Sequence, residues 1–138
     1  MIKKIVYGEE AKKALQKGID TVAKCVKPTL GACGKNVAID KQFCSPLITN
    51  DGVTIARDIQ LADEFENMGA KLVCETSSTT NSVAGDGTTT AIVLAQALVN
   101  EGMKNVTAGA NPVFIKKGME YGVNKIVEYI TDNAQPIS

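Results

Sequence analysis

The residues best equipped for chemistry lie together at Gly85-Asp86-Gly87-Thr88-Thr89-Thr90, immediately ahead of the apolar run Ala91 to Val99. Two glycines around an acid permit a tight turn and a close approach of backbone to a ligand. The helix predicted to follow points unpaired N–H groups and the positive end of its dipole out of that turn. An anion fits there. Three threonine hydroxyls can donate to phosphate oxygens, and the Asp86 carboxylate is a hard oxygen donor of the kind Mg²⁺ prefers when it arrives with a nucleotide. The same residues also suit a plainer role, with Asp86 capping the next helix and Gly87 and the threonines filling its first turn. Gly-Asp-Gly is far less specific than a full Walker A loop, so the choice rests on the remainder of the chain.

Two further stretches carry similar chemistry. Thr29-Leu30-Gly31-Ala32-Cys33-Gly34-Lys35-Asn36 is a loop whose glycines let backbone N–H groups face a ligand, although a helix-to-strand turn uses the same residues. Asn50-Asp51-Gly52 places another acid where it can cap a short helix over Val53 to Ile59.

The elements that must position these stretches read mainly as helices. With 138 residues the chain is long enough for one modest domain with a single core. Three Phe, three Tyr and no Trp leave a core of Val, Ile, Leu, Ala and Met, which suits packed helices better than a β-sandwich. Fifteen basic residues balance fifteen acidic ones, so charge suggests neither a nucleic-acid nor an anionic-membrane partner. No apolar run is long enough to span a bilayer. Cys25, Cys33, Cys44 and Cys74 form no Cys-x-x-Cys pair and the chain has no His, so a zinc site is not expected. The start Met1-Ile2-Lys3-Lys4 lacks a signal segment, and reduced thiols in a cytoplasmic protein are the expectation.

In chain order, Ile2, Ile5, Val6 and Tyr7 suggest a short terminal strand. From Glu9 the apolar positions Ala11, Ala14, Leu15, Ile19, Val22, Cys25 and Val26 recur at helical spacing until Pro28 stops them. Val37 to Thr49 reads as a β-hairpin with a loop longer than two residues, Phe43 to Pro46 being its turn. Asp63 is a capping acid for a helix patterned on Phe65, Met68, Leu72 and Val73. The far end of that helix, Thr76 to Ser82, is rich in Ser and Thr, which fits a helix approaching a solvated cleft or the Gly85 turn. Ala91 to Val106 is apolar nearly all round, as in a central helix. Asn111 and Pro112 start a last helix, with Ile115, Gly118, Met119, Gly122, Val123, Ile126, Val127 and Ile130 as its expected buried stripe. Gly118 and Gly122 would let a neighbouring helix approach closely.

Taken in order and spacing, six blocks resemble the group I chaperonins, the GroEL type, over essentially the whole chain. They are Lys27-Pro28-Thr29-Leu30-Gly31, Gly34-Lys35-Asn36-Val37, Ile48-Thr49-Asn50-Asp51-Gly52-Val53, Phe65-Glu66-Asn67-Met68-Gly69-Ala70, Ala84 to Ala91, and Ala108-Gly109-Ala110-Asn111-Pro112. The resemblance implies a mainly α fold: the amino-terminal part of the equatorial ATP-binding domain over residues 1–135, with a small β-hairpin, and the start of the hinge toward the intermediate domain at 136–138. The family's chains are several times longer, so a fragment is the expectation. The family's function is ATP-dependent assistance of protein folding by ring-shaped homo-oligomers. Its co-chaperonin and unfolded clients are engaged through domains absent here, and neither nucleic acid nor membrane is a partner.

Carried over by position, Thr29, Leu30, Gly31 and Ala32 correspond to the first nucleotide-contact loop. Asp51 corresponds to the catalytic acid near the attacking water and Asp86 to the Mg²⁺ ligand. Gly87, Thr88, Thr89 and Thr90 surround the phosphates of ATP, and K⁺ is a further cation that the resemblance admits. Two departures matter. The family usually has Pro at the place of Ala32 and Lys or a similar residue at that of Cys33, and Asn50 stands where it normally has a Lys near the terminal phosphate. Loss of that cation weakens support for developing negative charge. The family's other catalytic Asp lies in the absent part, so negligible ATP turnover by this chain alone is expected, as is self-association through apolar faces and the hairpin edge. A rival reading is a truncated paralogue that acts as a non-hydrolysing interaction protein. A helical phosphotransferase unrelated to chaperonins ranks last, because no general base other than Asp51 presents itself.

Overall fold

In the computed structural model, residues 4–41 and 45–135 are described. Five helices and one small sheet follow each other as α1 (Gly8–Val26), β1 (Val37–Ile39), β2 (Leu47–Thr49), α2 (Gly52–Asp58), α3 (Glu64–Ala84), α4 (Thr88–Thr107) and α5 (Pro112–Asn133). A single 3₁₀ turn, Lys27–Thr29, follows α1 with proline in its first turn. The mainly α fold class and the hairpin are as the sequence indicates. β1 and β2 pair antiparallel with Val37 opposite Thr49 and Ile39 opposite Leu47. Part of the expected hairpin turn, 42–44, lies outside the described residues, as do 1–3 and 136–138.

The chain divides into two compact units, Met1–Val99 and Asn100–Ser138. The first unit holds the core, formed by Ile19, Val22, Ala23 and Val26 of α1, Ile55 and Ala56 of α2, Ala70 and Val73 of α3, and Ile92 of α4. Small residues bring α1 and α3 together. A β-carbon added to Gly18 would collide with the Glu66 carbonyl, and one added to Gly69 would collide with that of Leu15. Glycine thus permits backbone contact that any side chain would prevent. The same crossing carries the Lys17–Glu66 ion pair at 2.5 Å. Gln96 of α4 donates its amide to the Asp20 carboxylate of α1.

The helix starts obey local side-chain chemistry. Asp51 caps α2, Asp63 caps α3 through the N–H groups of Phe65 and Glu66, and Asn111 caps α5 through Val113 N–H. Each satisfies backbone donors that a helix leaves unpaired.

Three expectations are corrected. Lys4 to Tyr7 form no strand, and among the described residues β1 and β2 pair only with each other. Extended chain without a partner strand gains no ladder. In α3 the buried face is Gly69, Ala70, Val73 and Ser77, while Met68 and Leu72 are exposed. The close backbone crossing with α1 selects small residues for the inner face. In the second unit, α5 has no buried residue, and the expected stripe is open, with Ile126 and Ile130 each 59% exposed. Apart from the adjoining backbone of α5 itself, no atom of the described residues comes within 4 Å of a β-carbon built at Gly118 or Gly122. Of α4, only Thr88, Ile92 and Gln96 are buried.

Candidate functional site

Three separated segments of the first unit meet around one cavity of about 410 Å³, lined by Thr29, Leu30, Gly31, Asn50, Asp51, Gly52, Asp86, Gly87, Thr88, Thr89 and Thr90. The first segment leaves α1 through the 3₁₀ turn. Thr29 Oγ1 donates to the Val26 carbonyl at 2.8 Å, and Leu30 N–H donates to the Lys27 carbonyl at 3.1 Å. Gly31 has φ 79°, which lets the chain double back so that Lys35 N–H reaches the Pro28 carbonyl at 2.7 Å. Ala32 and Cys33 sit on the exposed outside of this loop and do not line the cavity.

The second segment is delivered by β2. Asp51 N–H donates to Thr49 Oγ1 at 3.1 Å, while Asp51 Oδ2 accepts from Thr54 N–H at 3.1 Å and from the Thr54 hydroxyl. Asp51 therefore caps α2 and faces the cavity at once.

The third segment joins α3 to α4. Gly85 ends α3 in the left-handed conformation (φ 70°), and Gly87 follows at φ 76°. The Gly87 carbonyl accepts from Ala91 N–H at 2.9 Å as the first hydrogen bond of α4. Gly87, not Asp86, thus occupies the position before the helix. Asp86 is exposed and makes no hydrogen bond or ion pair among the described residues, so its carboxylate is not consumed by a cap. The N–H groups of Thr88, Thr89 and Thr90 precede that first hydrogen bond, and such groups favour an anion.

Close contacts hold the segments in register. Thr29 Oγ1 and Thr89 Oγ1 lie 3.3 Å apart. A β-carbon on Gly52 would stand 2.5 Å from Thr89 Oγ1 and 2.9 Å from its nitrogen, so the starts of α2 and α4 abut. Beneath them, fully buried Ser77 donates to the Thr88 carbonyl at 3.3 Å. The polar end of α3 reaches the Gly85 turn, as its composition suggested. Gly52 and Ser77 were not among the residues singled out from the sequence. The Asn50-Asp51-Gly52 run contained a signal for Gly52, and the polar stretch Thr76 to Ser82 one for Ser77.

The charge of the cavity is one-sided. Among the described residues of its lining Asp51 and Asp86 are the charged side chains, and no Lys or Arg is among them. Among the described residues no group of three or more His, Cys, Asp or Glu could hold a metal by itself. Cys25, Cys33 and Cys74 are free thiols, and none lines the cavity.

Residues 22–138 match the model of the TCP-1/cpn60 chaperonin family. This chain belongs to that family. The matched span contains all three lining segments of this chaperonin chain. Chaperonins are protein-folding chaperones that bind ATP and assemble as oligomers, and a chaperone role in that general sense follows from membership. No helix among the described residues of the chaperonin chain is long and apolar enough to cross a membrane.

Proposed function

We propose that this chain is part of a group I chaperonin of the GroEL type, contributing the amino-terminal portion of an equatorial domain over 1–135, and that its cavity forms one wall of the ATP and Mg²⁺ site. One observation carries the proposal: Thr29 to Gly31, Asn50 to Gly52 and Asp86 to Thr90 are far apart in sequence and surround a single oxygen-rich cavity. That lining is what a polyphosphate with a hard cation needs.

The donor set fits Mg²⁺, which is commonly bound by one or two carboxylates and completes its shell with phosphate and water oxygens. Asp86 would hold it, since its carboxylate has no other partner among the described residues. Bound there, the metal would neutralise charge on the phosphate oxygens. The N–H groups at the start of α4 and the hydroxyls of Thr89 and Thr90 would orient the phosphates, with Thr29 to Gly31 closing the side of the cavity. Asp51 Oδ2 is held by Thr54, which fixes the carboxylate so that its other oxygen can take a proton from water. K⁺ and a cytoplasmic setting belong to the same reading.

Turnover by this chain alone is expected to be negligible, because one wall of a site does not orient base, sugar and water together. Calorimetric titration with Mg-ATP tests the proposal: the wild-type chain should bind and Asp86→Ala should bind much more weakly. Equal binding by the two proteins would overturn it. The second reading, a non-hydrolysing interaction protein, is favoured by the lack of any basic side chain among the described lining residues and by the exposed apolar residues of α5. For that reading, binding would persist in a full-length chain while hydrolysis would be absent. The ring partners, co-chaperonin and clients of a GroEL-type assembly come with the first reading.

A further inference from the structure

We infer that Asp86-Gly87 is a self-modification site, where the Gly87 nitrogen closes on the Asp86 side chain and the link between them becomes isoaspartyl, while the fold protects Asp51-Gly52 from the same reaction. The sequence contains Asp-Gly at these two places, and its other Asp residues precede larger side chains. Glycine leaves the attacking nitrogen unhindered, so on local sequence the two pairs are equally reactive. Their surroundings differ. Asp86 is exposed, and neither its carboxylate nor the Gly87 N–H makes a hydrogen bond among the described residues. The turn also has space around it: of the described atoms, only Thr80 Cγ2, at 3.9 Å, comes within 4 Å of a β-carbon built on Gly87, and none does so at Gly85.

Asp51 is held on both sides. Its Oδ2 accepts from Thr54 N–H at 3.1 Å and from the Thr54 hydroxyl, which keeps the carboxyl turned along α2. Gly52 is buried against the start of α4, and a β-carbon there would lie 2.9 Å from the Thr89 nitrogen. Ring closure at this pair must break the cap and move backbone that has no room to move.

In the reaction the Gly87 nitrogen bonds to Asp86 Cγ. The carboxylate takes one proton from solvent, and its oxygen leaves with that proton and the Gly87 hydrogen as one water, giving a five-membered imide. One water then adds back. Addition at Cγ restores aspartate; addition at the Asp86 main-chain carbonyl carbon breaks its bond to nitrogen and leaves isoaspartate. The isoaspartyl link carries an extra methylene in the main chain. Gly87, whose carbonyl accepts from Ala91 N–H at 2.9 Å, is then displaced, and the third lining segment loses its register with α4. No ligand is needed for this chemistry, so it is independent of the phosphate reading.

The full 138-residue chain is aged at neutral pH, once folded and once in concentrated urea, and isoaspartate is mapped at both pairs by electron-transfer fragmentation of its peptides. In the folded chain isoaspartate should accumulate at Asp86 at least about fivefold faster than at Asp51, the factor set by a cap worth ~1 kcal/mol. In urea the two rates should become comparable. Equal rates in the folded chain, or no isoaspartate at Asp86, would overturn the inference. A preference for Asp86 that persists in urea would also overturn it, since sequence and not the fold would then set the difference.

Discussion

Gly52 and Thr89 meet at the mouths of two helices so closely that a β-carbon on Gly52 would lie 2.9 Å from the Thr89 nitrogen and 3.0 Å from its Cα. Backbone cannot step aside as a long side chain can. Gly52→Ala should therefore push the starts of α2 and α4 apart and cost about 1–3 kcal/mol, as overpacked substitutions do. Urea denaturation checks the stability and Mg-ATP titration checks the cavity. A variant as stable as the parent, with unchanged affinity, would show that the contact is looser than described.

Glycines elsewhere should respond in opposite directions. Gly18 and Gly69 form the backbone contact between α1 and α3, and alanine at either should destabilise the fold by about 1–3 kcal/mol or more. On α5, apart from the adjoining helix backbone, no atom of the described residues lies within 4 Å of a β-carbon at Gly118 or Gly122, and each lies within the helix. Alanine there should stabilise by about 0.8–1 kcal/mol through helix propensity alone. Thermal melts of the four variants check the ordering.

The contrast between these glycines explains how much could be read in advance. Caps at Asp51, Asp63 and Asn111 were legible because a short polar side chain and the next helix turn settle them locally. The residue types of the cavity were legible for the same reason. Their convergence was not, since it depends on Gly52 meeting Thr89 and on Ser77 lying under Thr88. Periodicity marked Ile126 and Ile130 as a stripe, yet it reports only that apolar residues share a face and not that a partner covers them. Met68 and Leu72 misled about the inner face of α3, because the contact there is made by small residues and backbone.

Exposed apolar side chains on α5 should drive association. Phe114 is 67% exposed, with Ile126 and Ile130 on the same helix. Patches of this kind are covered in stable proteins. Light scattering should show species larger than a monomer that diminish with Ile126→Glu. A monodisperse monomer at high concentration would contradict this.

The cap of α3 predicts an acid-side transition. Hydrogen bonds from Glu66 and Phe65 N–H, the former the larger influence, hold the Asp63 carboxyl below its ordinary pKa. A carboxylate whose folded pKa is depressed takes up protons more readily when unfolded. Its contribution to stability is therefore complete above the ordinary carboxylate value and is lost as pH falls through the depressed one. Urea midpoints followed from neutral pH into that acid range should decline less for Asp63→Asn than for the parent. Identical slopes would remove Asp63 from the account.

The central claim is that three distant segments build one phosphate-binding wall, and amide NMR on titration with Mg-ATP tests it most directly. The account predicts shifts concentrated at Gly31, Gly52 and Thr88 to Thr90, with little change in α5. Shifts confined to other surfaces, or none at saturating nucleotide, would contradict it.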